Sequence, residues 1–169
     1  AYLYGRLDSF EMGNVSTHAY FELKFTELNV ARLQWAINTL IQRHPALRTV
    51  FYEGEQQILT QAPEYRIVDH GVLNETESLS LRERLSHKIY DPSRFPLFDF
   101  EVSQQQGKAI LHIGKDALIM DGNSFALFFA ELTILYNAPD PKDVKLPELT
   151  VNFRDYMLRY VQIRESKLF

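Results

Sequence analysis

Polar and apolar residues alternate over 17–25. Ala19, Phe21, Leu23 and Phe25 fall on one side of an extended chain, and His18, Tyr20, Glu22 and Lys24 on the other. That period of two predicts a half-buried strand. The period then lengthens. Val30, Leu33, Ile37, Leu40 and Ile41 form a helical stripe behind Asn29, which has the side chain to cap it, and Pro45 predicts its end at His44. Residues 48–52 and 56–60 read as a hairpin around Glu53-Gly54-Glu55, and 65–68 as a short strand. A helix is predicted over 78–89, where Leu81, Leu85 and Ile89 recur four apart, stopping before Pro92. Strands over 97–103 and 108–113 pair across Gln105-Gln106-Gly107. A further helix over 123–136 carries Phe125, Phe128, Phe129, Leu132, Leu135 and Tyr136. A proline-containing linker over 138–147 leads to a last helix from about Asn152, with Phe153, Tyr156, Met157, Tyr160 and Val161 at spacings of three and four. Interleaved helices and strands, with short hairpins among them, predict an α/β fold: a two-layer sandwich in which helices cover a mixed sheet.

Composition narrows the chemistry. The 169 residues suit one domain with its own core. With no cysteine there is no disulfide framework, thiol nucleophile or thiolate metal site, and a reducing cytoplasm is the expected location. The net charge of −4, without a basic block, argues against nucleic acid as a partner. The longest nearly apolar stretch, 125–136, is broken by Glu131 and Thr133 and is far short of the roughly 20 residues that span a bilayer. No membrane partner is expected, and no signal peptide is visible. The chain begins at Ala1, inside a segment that reads as structured, which suggests a piece of a longer protein.

The stretch Lys115-Asp116-Ala117-Leu118-Ile119-Met120-Asp121-Gly122 joins the strand containing Leu111-His112-Ile113 to the phenylalanine-rich helix. Asp121 stands where an N-cap carboxylate accepts backbone N–H bonds. Asp116 lies on or just after the strand, where aspartate is disfavoured, so it needs a cation or a cleft. Arg48 is the cation expected to pair with Asp121, because a buried carboxylate demands a partner. Two aspartates alone do not make a metal site, and no neighbouring His or Glu completes a recognisable ligand set. His44 reads as a helix C-terminal cap and His112 as a structural strand histidine. Nucleophile-elbow, phosphate-loop and dinucleotide glycine patterns are all absent from the sequence.

Taken in order, these segments resemble the heterocyclization domains of nonribosomal peptide synthetases, a branch of the condensation domains with a chloramphenicol-acetyltransferase-like fold. Tyr2-Leu3-Tyr4-Gly5-Arg6 is similar to an early Tyr-x-x-Gly-Arg, and the segment from Val15 to Glu22 to the family's first strand. Leu40-Ile41-Gln42-Arg43-His44-Pro45-Ala46-Leu47-Arg48 resembles its Leu-Ile-x-Arg-His-x-x-Leu-Arg. Leu85-Ser86-His87, Phe95-Pro96-Leu97-Phe98 and Asn152-Phe153-Arg154-Asp155-Tyr156 match later segments. Asp116 and Asp121 match the Asp-x-x-x-x-Asp that marks these domains. Ordinary condensation domains carry His-His-x-x-x-Asp-Gly there. Asp116 replaces the first His, Ala117 replaces the second, and Asp121 keeps the Asp. The imidazole usually linked to amide formation is therefore missing. Gly122 leans toward the ordinary pattern.

The resemblance implies that 1–169 is a single N-terminal subdomain with its first helix clipped and the C-terminal subdomain outside it. The intact domain would join a carrier-bound acyl group to carrier-bound Cys, Ser or Thr, then cyclodehydrate the product to a thiazoline or oxazoline. No cofactor would bind directly, since the substrates ride on the phosphopantetheine arms of upstream and downstream carrier proteins. Asp121 would be architectural, paired with Arg48, and Asp116 would shape the pocket. The acid-base pair for cyclodehydration, an Asp and a Thr, would come from the other half, leaving this fragment inactive alone. An amide-only condensation domain and a non-catalytic carrier-binding module are the alternatives.

Overall fold

The strand alternation read from the sequence is what organises the fold. A computed structural model describes residues 17–52, 54–140 and 143–166, so the Tyr2–Arg6 motif and Val15-Ser16 lie outside the described residues. The elements run β1 (His18–Phe25), α1 (Val30–Arg43), a 3-10 turn (Pro45–Arg48), β2 (Thr49–Tyr52), β3 (Glu55–Ile58) and β4 (Val68–Val72). There follow α2 (Glu75–Ser86), β5 (Phe98–Gln105), β6 (Lys108–Asp116), α3 (Gly122–Asn137) and α4 (Phe153–Glu165). The chain divides into two compact units, Ala1–Asn137 and Ala138–Phe169.

In the first unit the main sheet has the order β1-β6-β5-β4. β6 is antiparallel to both β1 and β5, while β4 runs parallel to β5, so the sheet is mixed as expected. The β5–β6 turn places Gln106 and Gly107 at positive φ (50° and 72°), the turn geometry that matches strand twist in a two-residue hairpin. Helices cover both faces of this sheet. Phe125 of α3 stacks on Phe21, and Phe128 on Phe100, with ring centroids 4.9 and 5.6 Å apart. On the opposite face, α2 reaches Glu22 and Glu101 through Arg82 and Arg84. β2 and β3 form a separate two-stranded ribbon.

Two elements differ from the sequence reading. The predicted strand at 65–68 is displaced to β4. Tyr65 instead anchors the core: its amide donates to the Asn38 side chain, and its hydroxyl bonds the backbone of Phe100. The helix predicted over 78–89 starts earlier, because Asn74 and Glu77 form a capping box, and it ends at Ser86, leaving Ile89 exposed. α1 takes the expected cap, Asn29, and α4 starts behind Asn152, which forms a capping box with Asp155.

Candidate functional site

The Asp116–Asp121 junction is built by the end of β6 and the start of α3. Asp116 is the last strand residue, opposite His18 in the β1–β6 ladder. Its amide donates to Leu97 O (3.0 Å), and the next amide, of Ala117, donates to Thr17 O (2.9 Å). The main chain is thus gripped from both neighbouring segments. The Asp116 side chain is fully buried (0% exposed), and its Oδ1 accepts the Leu118 amide at 2.9 Å. Burying a carboxylate this deeply is costly, and bonds of this kind offset the cost. Asp121 is its opposite. It is exposed and caps α3: Oδ1 accepts Ser124 N (2.8 Å) and its carbonyl accepts Phe125 N (3.0 Å). Those helix N–H groups, first the Ser124 amide, hold its carboxyl below the usual aspartate range, with Lys115 adding a smaller effect.

The expected Arg48–Asp121 ion pair does not form among the described residues. Arg48 Nη1 donates to Leu59 O at 2.6 Å, tying the 3-10 turn to the end of the β2–β3 ribbon, and its Nε is buried without a partner. Asp121 is committed to the helix end. The cation that bears on Asp121 is Lys115, whose Nζ donates to Met120 O at 2.6 Å.

Several groups that the sequence reading passed over lie close by. His18, Tyr90, Asp99 and Lys88 gather around Gly114. Tyr90 donates to Asp99 Oδ2 (2.8 Å), Lys88 Nζ lies 2.6 Å from the same oxygen, and the His18 and Tyr90 ring centroids are 5.6 Å apart. A Cβ on Gly114 would sit 2.5 Å from the Tyr90 hydroxyl, so a larger residue there must displace that hydroxyl. His18 Nε2 is buried without a hydrogen-bond partner, and burial holds this imidazole below its usual value, toward the neutral form. The signal was available in the alternation. Asp99, Glu101 and Ser103 share a face of β5, as do His112, Gly114 and Asp116 of β6.

His112 is structural in its packing. It is buried between Tyr20 OH at Nδ1 (2.6 Å) and Ser103 Oγ at Nε2 (2.9 Å), and Tyr20 in turn donates to Glu22. Burial lowers its pKa against the pull of Glu22. His44 ends α1 as expected, with its amide on Leu40 O, but its ring turns to Glu131 of α3 (2.5 Å), where Arg43 also binds. Burial opposes ionisation of Glu131, yet the hydrogen bonds from Arg43 and His44 outweigh it and leave the carboxyl below its usual range. Beside this pair lies a cleft of about 110 Å³ lined by His44, Leu47, Ile119, Met120, Leu127 and Phe128. Among the described residues no cluster of three metal-ligating side chains occurs, and no helix is long and apolar enough to cross a membrane.

The family model for the condensation domain matches residues 10–169. The chain belongs to the condensation-domain family. Its relatives are synthetases of much greater length. Bacitracin synthase 1 of Bacillus licheniformis is 34% identical over 177 residues, covering 100% of this chain and 3% of that protein. Phenyloxazoline synthase MbtB of Mycolicibacterium paratuberculosis is 32% identical over 162 residues, covering 90% of this chain and 13% of that one. Among solved structures, the cyclization–docking bidomain of the nonribosomal peptide synthetase EpoB from Sorangium cellulosum superposes with a TM-score of 0.86 at 29% identity. That match covers 98% of this chain and 34% of the bidomain chain. The α/β fold and the nonribosomal peptide synthetase family read from the sequence therefore stand. At the positions aligned with the two histidines of the ordinary condensation motif this chain holds Asp116 and Ala117, so neither carries an imidazole.

Proposed function

We propose that this chain is the N-terminal part of a heterocyclization domain in a nonribosomal peptide synthetase. The observation that carries the reading is the junction itself. Asp116 is buried at the end of β6, Asp121 caps α3, and Ala117 stands where an imidazole would be needed. The likeness to a cyclization bidomain and to a phenyloxazoline synthase supports it.

In this reading two carrier proteins present their substrates on phosphopantetheine arms. The amine of carrier-bound Cys, Ser or Thr attacks the donor thioester carbonyl. The C–N bond forms, the C–S bond breaks, and the donor thiol departs. The side-chain thiol or hydroxyl then adds to the new amide carbonyl. The resulting tetrahedral centre loses its hydroxyl as water while C=N forms, giving a thiazoline or oxazoline. Holding two arms end to end is catalysis by proximity, and expelling hydroxide needs general acid-base work. Asp116 and Asp121 serve here as frame and pocket rather than as that acid-base pair, because one is fully buried with its Oδ1 on the Leu118 amide and the other caps a helix. The pair is assigned to the remainder of the domain, so the isolated chain gives no turnover.

The test is the intact mass of the acceptor carrier after incubation of both loaded carriers with the full-length synthetase. A product lighter than the amide by one water supports the reading. A product at the amide mass replaces it with ordinary condensation.

A further inference from the structure

We propose that Lys115 is the positioning residue of the β6–α3 junction, its buried ammonium holding the main chain that joins Asp116 to Asp121. Lys115 falls on the face of β6 that turns toward α3, between Phe98 on β5 and Ala19 on β1. It is 8% exposed, in surroundings where lysine is rarely found without a reason. A leucine or methionine would fill the same space without the cost of desolvating a charge. What the ammonium obtains instead is specific. Nζ donates to Met120 O at 2.6 Å and stands 5.3 Å from the centroid of the Phe125 ring. Met120 is the residue before Asp121, and Phe125 lies in the first turn of α3. One side chain therefore ties the strand end, the loop carbonyl and the helix start together.

Asp116 bonds the Leu118 amide at 2.9 Å, and its carbonyl receives Ile119 N at a long 3.4 Å. Lys115 also lies in the field of both motif carboxylates, on its own strand and across the loop, and so takes the electrostatic place the sequence offered to Arg48. Because Met120 O and the Asp121 cap are consecutive, releasing the first frees the second to shift.

The catalytic part of this inference rests on the heterocyclization reading; the structural part does not. The experiment compares wild type, Lys115→Met and Lys115→Arg in the full-length synthetase. Hydrogen exchange of peptides spanning 117–124 is measured beside turnover. We expect Lys115→Met to speed exchange in 117–124 by about tenfold or more while 98–105 stays protected. We also expect kcat to fall by about tenfold with the KM for the carriers unchanged, and Lys115→Arg to recover most of that loss. Exchange and kcat both within roughly twofold of wild type would overturn the proposal, as would equal acceleration over 98–105, the mark of a merely packing residue. Should Lys115→Met fail to fold, Lys115→Arg decides alone: protected 117–124 supports the role, and accelerated exchange there at unchanged kcat overturns it. A synthetase that makes only the amide would refute the heterocyclization reading and leave the exchange result standing.

Discussion

The two faces of the β1-β6-β5-β4 sheet are built from the same strands and follow different physics. Toward α1 and α3 the sheet presents Phe98, Phe100, Val102, Leu111 and Ile113, all buried, with the Phe98 and Phe100 rings against Tyr65 and the Phe100 ring stacked on Phe128. Toward α2 it presents Asp99, Glu101, Ser103, His112, Gly114 and Asp116, each polar side chain among them hydrogen-bonded. Glu101 shows the balance. Burial pushes its carboxyl up, but the hydrogen bonds from Arg84 and His70 win and leave it below the usual range. Strand alternation alone separates a face that gains stability by removing apolar area from water from one that hydrogen-bonds most of the polar groups it buries, His18 Nε2 excepted. Asp116 belongs to the second face and Lys115 to the first, so the motif begins where the two systems meet.

That contrast can be broken most heavily on the apolar side. Phe100→Ala removes a ring that contacts Tyr65, Phe98 and Phe128, and should cost about 3–5 kcal/mol in urea unfolding. The loss should be the same at pH 5 and pH 8, because no titrating group is freed. Gly114→Ala attacks the polar face. The new methyl must displace the Tyr90 hydroxyl from Asp99, and overpacking of this kind costs about 1–3 kcal/mol.

A pH scan sharpens the comparison further. Burial holds the pKa of folded His112 below the 6.5 of a free imidazole, so on acidification the unfolded chain takes the proton first. Stability is therefore full above that value and is lost as the pH falls through it, until the folded imidazole is protonated too. The slope from one such group is at most about 1.4 kcal/mol per pH unit. His112→Gln should flatten the unfolding profile between pH 7 and 5. His18, also held toward neutrality, should preserve a remnant of the slope. An unchanged profile in His112→Gln would show that the polar face does not work this way. The smallest effect belongs to Asp121→Ala. Its carboxylate is exposed and caps one helix, so thermal melting should shift less than for either core variant.

Much of this was legible in the sequence, for reasons that also explain the rest. The β1 alternation and the α1 stripe are single-period signals read over several residues, and both appear where expected. The 65–68 stretch has apolar residues but no decisive period. There the tertiary demand that Tyr65 meet Asn38 and Phe100 overrode local propensity. The start of α2 was hidden because its first turn is polar; Asn74 and Glu77 were the available capping signal. At the junction, Asp121 capping α3 followed from its position before a helix. Its partner did not. Choosing Arg48 required knowing where the 3-10 turn points, whereas Lys115 was adjacent in sequence but on a strand whose apolar neighbours disguised it.

On the proposed function the motif carboxylates frame the site and leave proton transfer to other residues. Asp121→Ala in the full-length synthetase, with amide and heterocycle quantified by mass on the acceptor carrier, tests it most directly. Both products should fall together, leaving their ratio unchanged. Amide formed at the wild-type rate with the heterocycle abolished would make Asp121 part of the dehydrating machinery and contradict it.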